Sequence, residues 1–186
     1  MRTFETDLPA GYTVATHIAG LHSGFLNDLI TVLPGILAVI AGCVFTKLTF
    51  VQVVLSLLIF AACIYPYFVL HELVHAMVYK TMTHQPVKIG FTRNGAYCSM
   101  PEIYTYRPVA VACTAAPLVV FAIMLGAICI CAILAAHWFF LPAGLLFTFH
   151  LFGCRSDVNL LREIGKYNGS SILVRDNGTE QWIYKQ

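Results

Sequence analysis

Two histidines and a glutamate within five residues carry the clearest chemistry in this sequence: His71, Glu72 and His75, in the order H-E-L-V-H. The residues around them are mostly apolar, and the stretch is long enough for a buried helix. On a helix, residues four apart lie on adjacent turns of one face, about 6 Å apart along the axis, so both imidazoles can bind one metal ion. Glu72 lies about 100° further around the helix, where its carboxylate can reach a water at that metal. This spacing predicts the H-E-x-x-H arrangement of a zinc peptidase.

The apolar setting of the motif favours a metal site. A charged group within a hydrocarbon-like segment costs about 2.5–3.5 kcal/mol on insertion scales, so ionisable groups there need partners. A metal ion is one such partner, and the alternative is a hydrogen-bonded polar cluster that joins neighbouring helices. A catalytic zinc ion has three protein ligands and one open position, so a third ligand must come from elsewhere in the chain.

The composition indicates an integral membrane protein. Of the 186 residues, 59% are hydrophobic and 11% are charged, whereas soluble domains carry about 25% charged residues. The formal net charge is only +2, and the basic residues form no stripe, so we expect no nucleic-acid partner. The seven cysteines lie mostly in apolar runs and include no C-x-x-C pair, which argues against a disulfide framework or a cysteine zinc site.

Four apolar segments predict an all-α polytopic membrane protein with about four transmembrane helices. The expected spans are residues 29–46, 48–79, 109–136 and 138–155, each long enough or nearly long enough to cross the hydrocarbon core. Together they define a membrane domain over residues 25–157. The segment before it, residues 1–24, and the tail after it, residues 158–186, are expected in the cytoplasm.

Two short β-hairpins are expected outside these helices. The polar stretch 80–108 contains Asn94-Gly95 between strand-like runs, which is a strong hairpin signal. A second hairpin is expected within the tail, around Asp176-Asn177-Gly178.

The distribution of basic residues sets the expected orientation. In a four-span arrangement Lys47 stands alone on one side of the bilayer. The residues on the other side are Arg2, Lys80, Lys88, Arg93, Arg107, Arg155, Arg162 and Lys166. Because cytoplasmic loops carry the excess of Lys and Arg, we expect both termini in the cytoplasm.

Asp157 is the best candidate for the third metal ligand. It follows the fourth predicted span at its cytoplasmic end, and His71 and His75 lie toward the cytoplasmic end of the second span. Carboxylate oxygen is an accepted zinc ligand. Two alternatives stay open: Asp157 pairs with a nearby arginine at the interface, or His150 takes its place as ligand.

The chain resembles the zincin peptidase family of small bacterial membrane proteins, which is similar to the site-2 protease group of intramembrane metalloproteases. Three features carry the resemblance: the H-E-L-V-H motif late in a long apolar segment, the hairpin region with Asn94-Gly95 that follows it, and the segment that closes with Asp157. In site-2 proteases the third ligand lies in a Leu-Asp-Gly type motif, whereas here Asp157 stands between Ser156 and Val158.

The resemblance implies a Zn²⁺ enzyme that hydrolyses peptide bonds in or near transmembrane segments. Zinc would be held by His71, His75 and Asp157, with Glu72 as general base. The expected partners are a membrane-protein or peptide substrate and the lipid bilayer, and the expected location is the bacterial cytoplasmic membrane.

Two other classes of function remain open from the sequence. One is a non-hydrolytic metal-binding membrane regulator or scaffold, which would bind zinc but not need Glu72. The other is a haem protein that uses histidines on or beside the spans, namely His71, His75, His137 and His150.

Overall fold

The computed structural model describes residues 2–19, 25–92, 95–135, 137–167 and 171–186. The helices in these residues are α1 (Phe25–Phe45), α2 (Phe50–Thr83), α3 (Arg107–Leu134), α4 (Phe140–Gly153) and α5 (Arg155–Gly165). The strands are β1 (Phe4–Glu5), β2 (Thr13–Ala19), β3 (Lys88–Thr92), β4 (Gly95–Tyr106), β5 (Ile172–Asp176) and β6 (Glu180–Lys185).

The prediction of an all-α protein is wrong, because the chain also contains a six-stranded antiparallel sheet. The strand order is β1-β4-β5-β6-β2, and β3 pairs with the first half of β4. Strand β2 comes from the N-terminal segment and pairs with β6 near the C-terminus, with His17 opposite Trp182. Pairing between segments so far apart in the chain has no local turn signal, so the sequence did not indicate it.

The predicted number of transmembrane helices is also wrong. Helices occupy all four apolar segments, but within the described residues only α2 and α3, of 34 and 28 residues, are long and apolar enough to cross a membrane. The apolar parts of α1 and α4 are Val32–Phe45 and Phe140–Gly153.

The strands in the polar stretch and in the tail form hairpins. Strands β3 and β4 pair with Ile89 opposite Cys98, and the predicted turn at Asn94 falls outside the described residues. In the tail, β5 and β6 are joined by a tight turn in which Gly178 has φ of 90°. A Cβ atom at Gly178 would lie 2.3 Å from the Tyr97 ring, so both the conformation and the close approach require glycine.

The chain forms two compact units. The first comprises residues 1–22, 68–117 and 156–186, and therefore contains the sheet, α5 and the C-terminal part of α2. Its core has two apolar clusters. One joins α2, β4 and α3: Tyr79, Cys98, Met100, Ile103, Val109 and Cys113. The other joins α3, α5 and the sheet: Ala110, Leu160, Ile164, Ile172, Val174 and Ile183.

The second unit comprises residues 23–67 and 118–155. Within it, α1 packs against α4. The contact is close at Gly42, because a Cβ atom there would lie 1.9 Å from a ring carbon of Phe140. Phe140 is only 1% exposed, so its ring is enclosed by protein atoms.

Candidate metal centre

The C-terminal part of α2 presents one buried polar face. His71, His75, Tyr79 and Thr83 recur at intervals of four residues and are all buried. Residues at this spacing lie on successive turns of the same side of a helix. The face therefore places both imidazoles of the H-E-L-V-H motif next to one another, and their ring centroids lie 5.0 Å apart.

Asp157 faces the two histidines from another helix. It lies in the first turn of α5, a short amphipathic helix that begins after α4 has ended at Gly153. A carboxylate in the first turn is favoured by the partial positive charge of the helix N-terminus. Oδ2 of Asp157 lies 3.3 Å from Nε2 of His71, and Oδ1 lies 3.5 Å from Nε2 of His75.

The arrangement of these three side chains fits a zinc ion. Their ligand atoms all lie within 4.8 Å of one another. Ligand atoms held tetrahedrally about 2.0–2.2 Å from zinc are about 3.3–3.6 Å apart. The two separations are of this size, and each involves a different oxygen of the Asp157 carboxylate. Oδ2 of Asp157 is buried and makes no well-formed hydrogen bond within the described part of the chain. A buried carboxylate oxygen of this kind gains a partner when a cation binds.

The hydrogen bond of His75 orients its ring for metal binding. Its Nδ1 lies 2.8 Å from the backbone carbonyl oxygen of Cys113 on α3. A carbonyl oxygen only accepts hydrogen bonds, so Nδ1 carries the proton. The other nitrogen, Nε2, lies on the side of Asp157 and can bind a metal ion there once it has lost its proton, as in zinc sites where the ligand histidine donates its second N–H to a carbonyl.

Asp157 is held in its ionised form by its neighbours. Burial alone would raise the pKa of this carboxyl, but the contacts with His71 and His75 outweigh burial and lower the pKa below its usual value. The side chain is therefore a carboxylate near neutral pH and can serve as an anionic ligand.

Glu72 lies beside this cluster and contacts strand β4. Its carboxylate is within hydrogen-bonding reach of the backbone N–H of Cys98, and its charge interacts with His75 and Asp157. The side chain is only partly buried. A carboxylate placed next to the candidate ligands, but not among them, has the position that a general base requires.

His150 belongs to the second unit and has its own hydrogen bonds there. Nδ1 lies 2.8 Å from the Tyr67 hydroxyl, and Nε2 lies 3.3 Å from the carbonyl oxygen of Leu118. Because the carbonyl must accept, Nε2 carries the proton and Nδ1 accepts from Tyr67. Both ring nitrogens are thus used in hydrogen bonding, and Asp157 remains our preferred third ligand.

Comparison with protein-family models matches residues 64–172 to a family described as "Putative zincin peptidase". The chain belongs to this family. The match covers more than half of the chain and includes His71, Glu72, His75 and Asp157. Searches against curated proteins and against solved structures give no match. Membership supports a metallopeptidase in general terms.

Sequence reasoning missed several groups around the centre. Tyr79 could have been found, because it follows His75 by four residues and so shares its helix face. The carbonyl of Cys113 and the N–H of Cys98 are backbone groups, and no residue type signals them. Asp176 was noted only as a turn residue, although its carboxylate accepts a hydrogen bond from the Tyr79 hydroxyl across 3.4 Å.

Proposed function

We propose that this protein is a zinc-dependent metallopeptidase in which His71, His75 and Asp157 hold the metal and Glu72 is the general base. The observation that carries the proposal is the position of the Asp157 carboxylate opposite both histidines of the motif. Sequence spacing alone accounts for the histidine pair, whereas the carboxylate comes from a separate helix and completes a three-ligand set. Membership of the zincin family supports the same chemistry.

The residues of the centre divide the reaction between them. Zinc, when bound, supplies Lewis-acid polarisation of the attacking water and of the peptide carbonyl. Glu72 accepts the proton that the water loses on attack, and then delivers it to the leaving amine nitrogen. The backbone N–H of Cys98 on β4 lies close to the Glu72 carboxylate. The carbonyl of Cys113 keeps the His75 ring oriented throughout.

We propose further that the reaction takes place in or beside a membrane. Support comes from the length and apolar character of α2 and α3 and from the position of the motif within α2. Substrates would be transmembrane segments or membrane-proximal peptides. An extended peptide pairing along the β3–β4 hairpin would pass close to Glu72, because β4 reaches this residue at Cys98. We propose this pairing by analogy with site-2 proteases, in which a related hairpin pairs with the extended substrate strand.

The proposed location is the bacterial cytoplasmic membrane, with both termini in the cytoplasm. A reporter that is active only in the cytoplasm, fused after Gln186, should be active. A periplasm-specific reporter fused at the same position should be silent. The reverse pattern would rule out this orientation.

The metal is tested by mass spectrometry of protein purified in detergent and supplied with zinc. We expect about one zinc ion per chain in the wild type and almost none in His75→Ala. His84→Asn is the matched control, because His84 is exposed and has φ of 56°, a conformation that asparagine tolerates. Wild-type protein that binds no zinc would leave the motif a hydrogen-bonded helix cluster and end the peptidase proposal.

The role of Glu72 separates a peptidase from a metal-binding regulator. Glu72→Gln should keep the zinc and lower the rate of peptide hydrolysis by about 10²–10⁴-fold, the usual contribution of a general base. Glu180→Gln is the control, since Glu180 is partly exposed and pairs with His17 on the sheet surface. If Glu72→Gln retains its zinc and leaves the cellular phenotype unchanged, the regulator is the better description. A Soret band in the purified protein would instead indicate haem.

A further inference from the structure

Asp176 links the β5–β6 turn to the helix that carries the candidate metal ligands. It is the last residue of β5 and lies opposite Gln181 on β6. Its Oδ1 accepts a hydrogen bond of 2.8 Å from the N–H of Gly178, and its Oδ2 accepts one of 3.4 Å from the Tyr79 hydroxyl. Both carboxylate oxygens thus have a hydrogen-bond partner, and the side chain is partly buried.

Tyr79 connects Asp176 to the metal centre through α2. It occupies the same buried face of the helix as His71 and His75, one turn beyond His75. The Asp176 carboxylate is close enough for its charge to interact with those of His75 and Asp157 and with that of Glu72. Asp176 therefore contributes to the electrostatic potential of the site through its charge.

We propose that Asp176 is an outer carboxylate of the metal centre, whose negative charge strengthens cation binding by His71, His75 and Asp157. This inference rests on the proposed zinc site but adds a residue that the family comparison does not reach, because the match ends at residue 172. Asp176 acts through the field at the site and is a positioning residue, not a ligand.

The charges at the centre explain why an outer carboxylate is useful. Two neutral imidazoles and one carboxylate leave a divalent zinc ion with a net positive charge of about one. Glu72 cancels that charge only while it is ionised, and the proposed reaction protonates it. Asp176 supplies a negative charge that persists through this step. Burial raises its pKa to about 6, so it remains mostly ionised at neutral and slightly alkaline pH.

The test is zinc affinity, measured by competition with a chromophoric chelator at one slightly alkaline pH. Asp176→Asn keeps the shape of the side chain and removes its charge, and we expect zinc binding to weaken about three- to tenfold, at or below the usual effect of an outer-shell partner. Asp176→Ser is a second neutral variant that can still accept from the Gly178 amide. Asp176→Glu restores the charge and should bind zinc more tightly than either neutral variant.

Tyr79→Phe separates the charge from the hydrogen bond. It removes the hydroxyl but leaves the Asp176 carboxylate, so we expect lower thermal stability with zinc affinity within about twofold of wild type. If both neutral Asp176 variants bind zinc as tightly as wild type while melting earlier, Asp176 is structural and the inference is wrong. Equal weakening in Tyr79→Phe and the neutral variants would also contradict a role for the charge. If the wild type binds no zinc, the proposed function itself is wrong.

Discussion

The imidazole of His75 donates its Nδ1–H to the backbone carbonyl of Cys113 over 2.8 Å. This bond ties the motif helix α2 to the start of α3 and leaves Nε2 as the ring nitrogen that faces Asp157. Because the acceptor is a backbone atom, its position depends on the packing of α3 and not on the side chain at residue 113. The ring of the candidate ligand is therefore oriented before any metal binds.

The role of Asp157 as third ligand predicts the effect of removing its carboxylate. Asp157→Ala should weaken zinc binding by more than about 100-fold, since even outer-shell partners commonly contribute about 10–100-fold. The measurement is zinc stoichiometry and affinity of the purified variant. Glu163→Gln is the control on the same helix, because Glu163 pairs with Lys166 away from the histidines. If Asp157→Ala keeps the zinc content of the wild type, His150 becomes the candidate for the third ligand.

Removal of the metal should destabilise the protein, because zinc binds the folded chain and the unfolded chain lacks the assembled site. At a free zinc concentration about 100 times the dissociation constant, binding adds about 2.7 kcal/mol to the free energy of unfolding. For a chain of this length that corresponds to a rise in Tm of roughly 5–10 °C. A chelator should reverse the rise. His75→Ala should melt at the same temperature with and without zinc, and magnesium should have no effect on the wild type.

The sequence predicted which side chains lie together at the candidate site, but not the sheet beside them. His71, Glu72 and His75 are encoded by local spacing on one helix, and spacing is what a sequence displays directly. Asp157 was also chosen from the sequence, but as the end of a fourth span. The structure instead places it at the start of α5, where the helix terminus favours a carboxylate.

The sheet was missed for a physical reason. Its two expected hairpins follow from local turn signals, and strands lie where those signals indicated. The pairing of β2 with β6 and of β4 with β5 depends instead on contacts between distant segments. Strand β4 also bulges between Met100 and Thr105 against β5, which interrupts the regular alternation of side chains. The apolar composition then favoured the prediction of a helix wherever an apolar run was long enough to span a membrane.

Asp176 should make the stability of the metal-free protein depend on pH. Burial raises the pKa of Asp176 from 3.8 to about 6, so the folded chain holds this proton over a range in which the unfolded chain has lost it. The folded state therefore loses stability as the pH rises from about 4 to about 6, and the loss persists at higher pH. The difference between these two pKa values corresponds to a loss of at most about 3 kcal/mol in the free energy of unfolding.

Comparison with Asp176→Asn isolates this contribution from that of the other carboxyl groups. The free energy of unfolding of the variant, minus that of the wild type, should increase between about pH 4 and pH 6 and then level off. Denaturant titrations in the presence of a chelator measure it at each pH. Asp7→Asn, which removes a carboxyl group at an exposed position, is measured beside it as the control. A flat difference for Asp176→Asn would show that the carboxyl titrates normally in the folded protein.

Two helical glycines should respond in opposite directions to the same substitution. A Cβ atom at Gly42 would lie 1.9 Å from a ring carbon of Phe140, which is buried, whereas a Cβ atom at Gly126 meets no other atom within 4 Å. Gly126→Ala should stabilise the protein by about 0.5–1 kcal/mol, because alanine is the better helix former. In Gly42→Ala the same gain is outweighed by overpacking, which costs about 1–3 kcal/mol or more.

Thermal melts of the two variants in one detergent provide the comparison. Gly42→Ala should melt below the wild type and Gly126→Ala at or above it. Zinc affinity should stay near the wild-type value in both, because neither residue belongs to the unit that contains His71, His75 and Asp157. If Gly42→Ala melts at the same temperature as the wild type, then α1 and α4 do not pack as closely as the Gly42–Phe140 contact requires. Close packing of these two helices would then not be the source of stability in that unit, and their hydrophobicity alone would have to account for it.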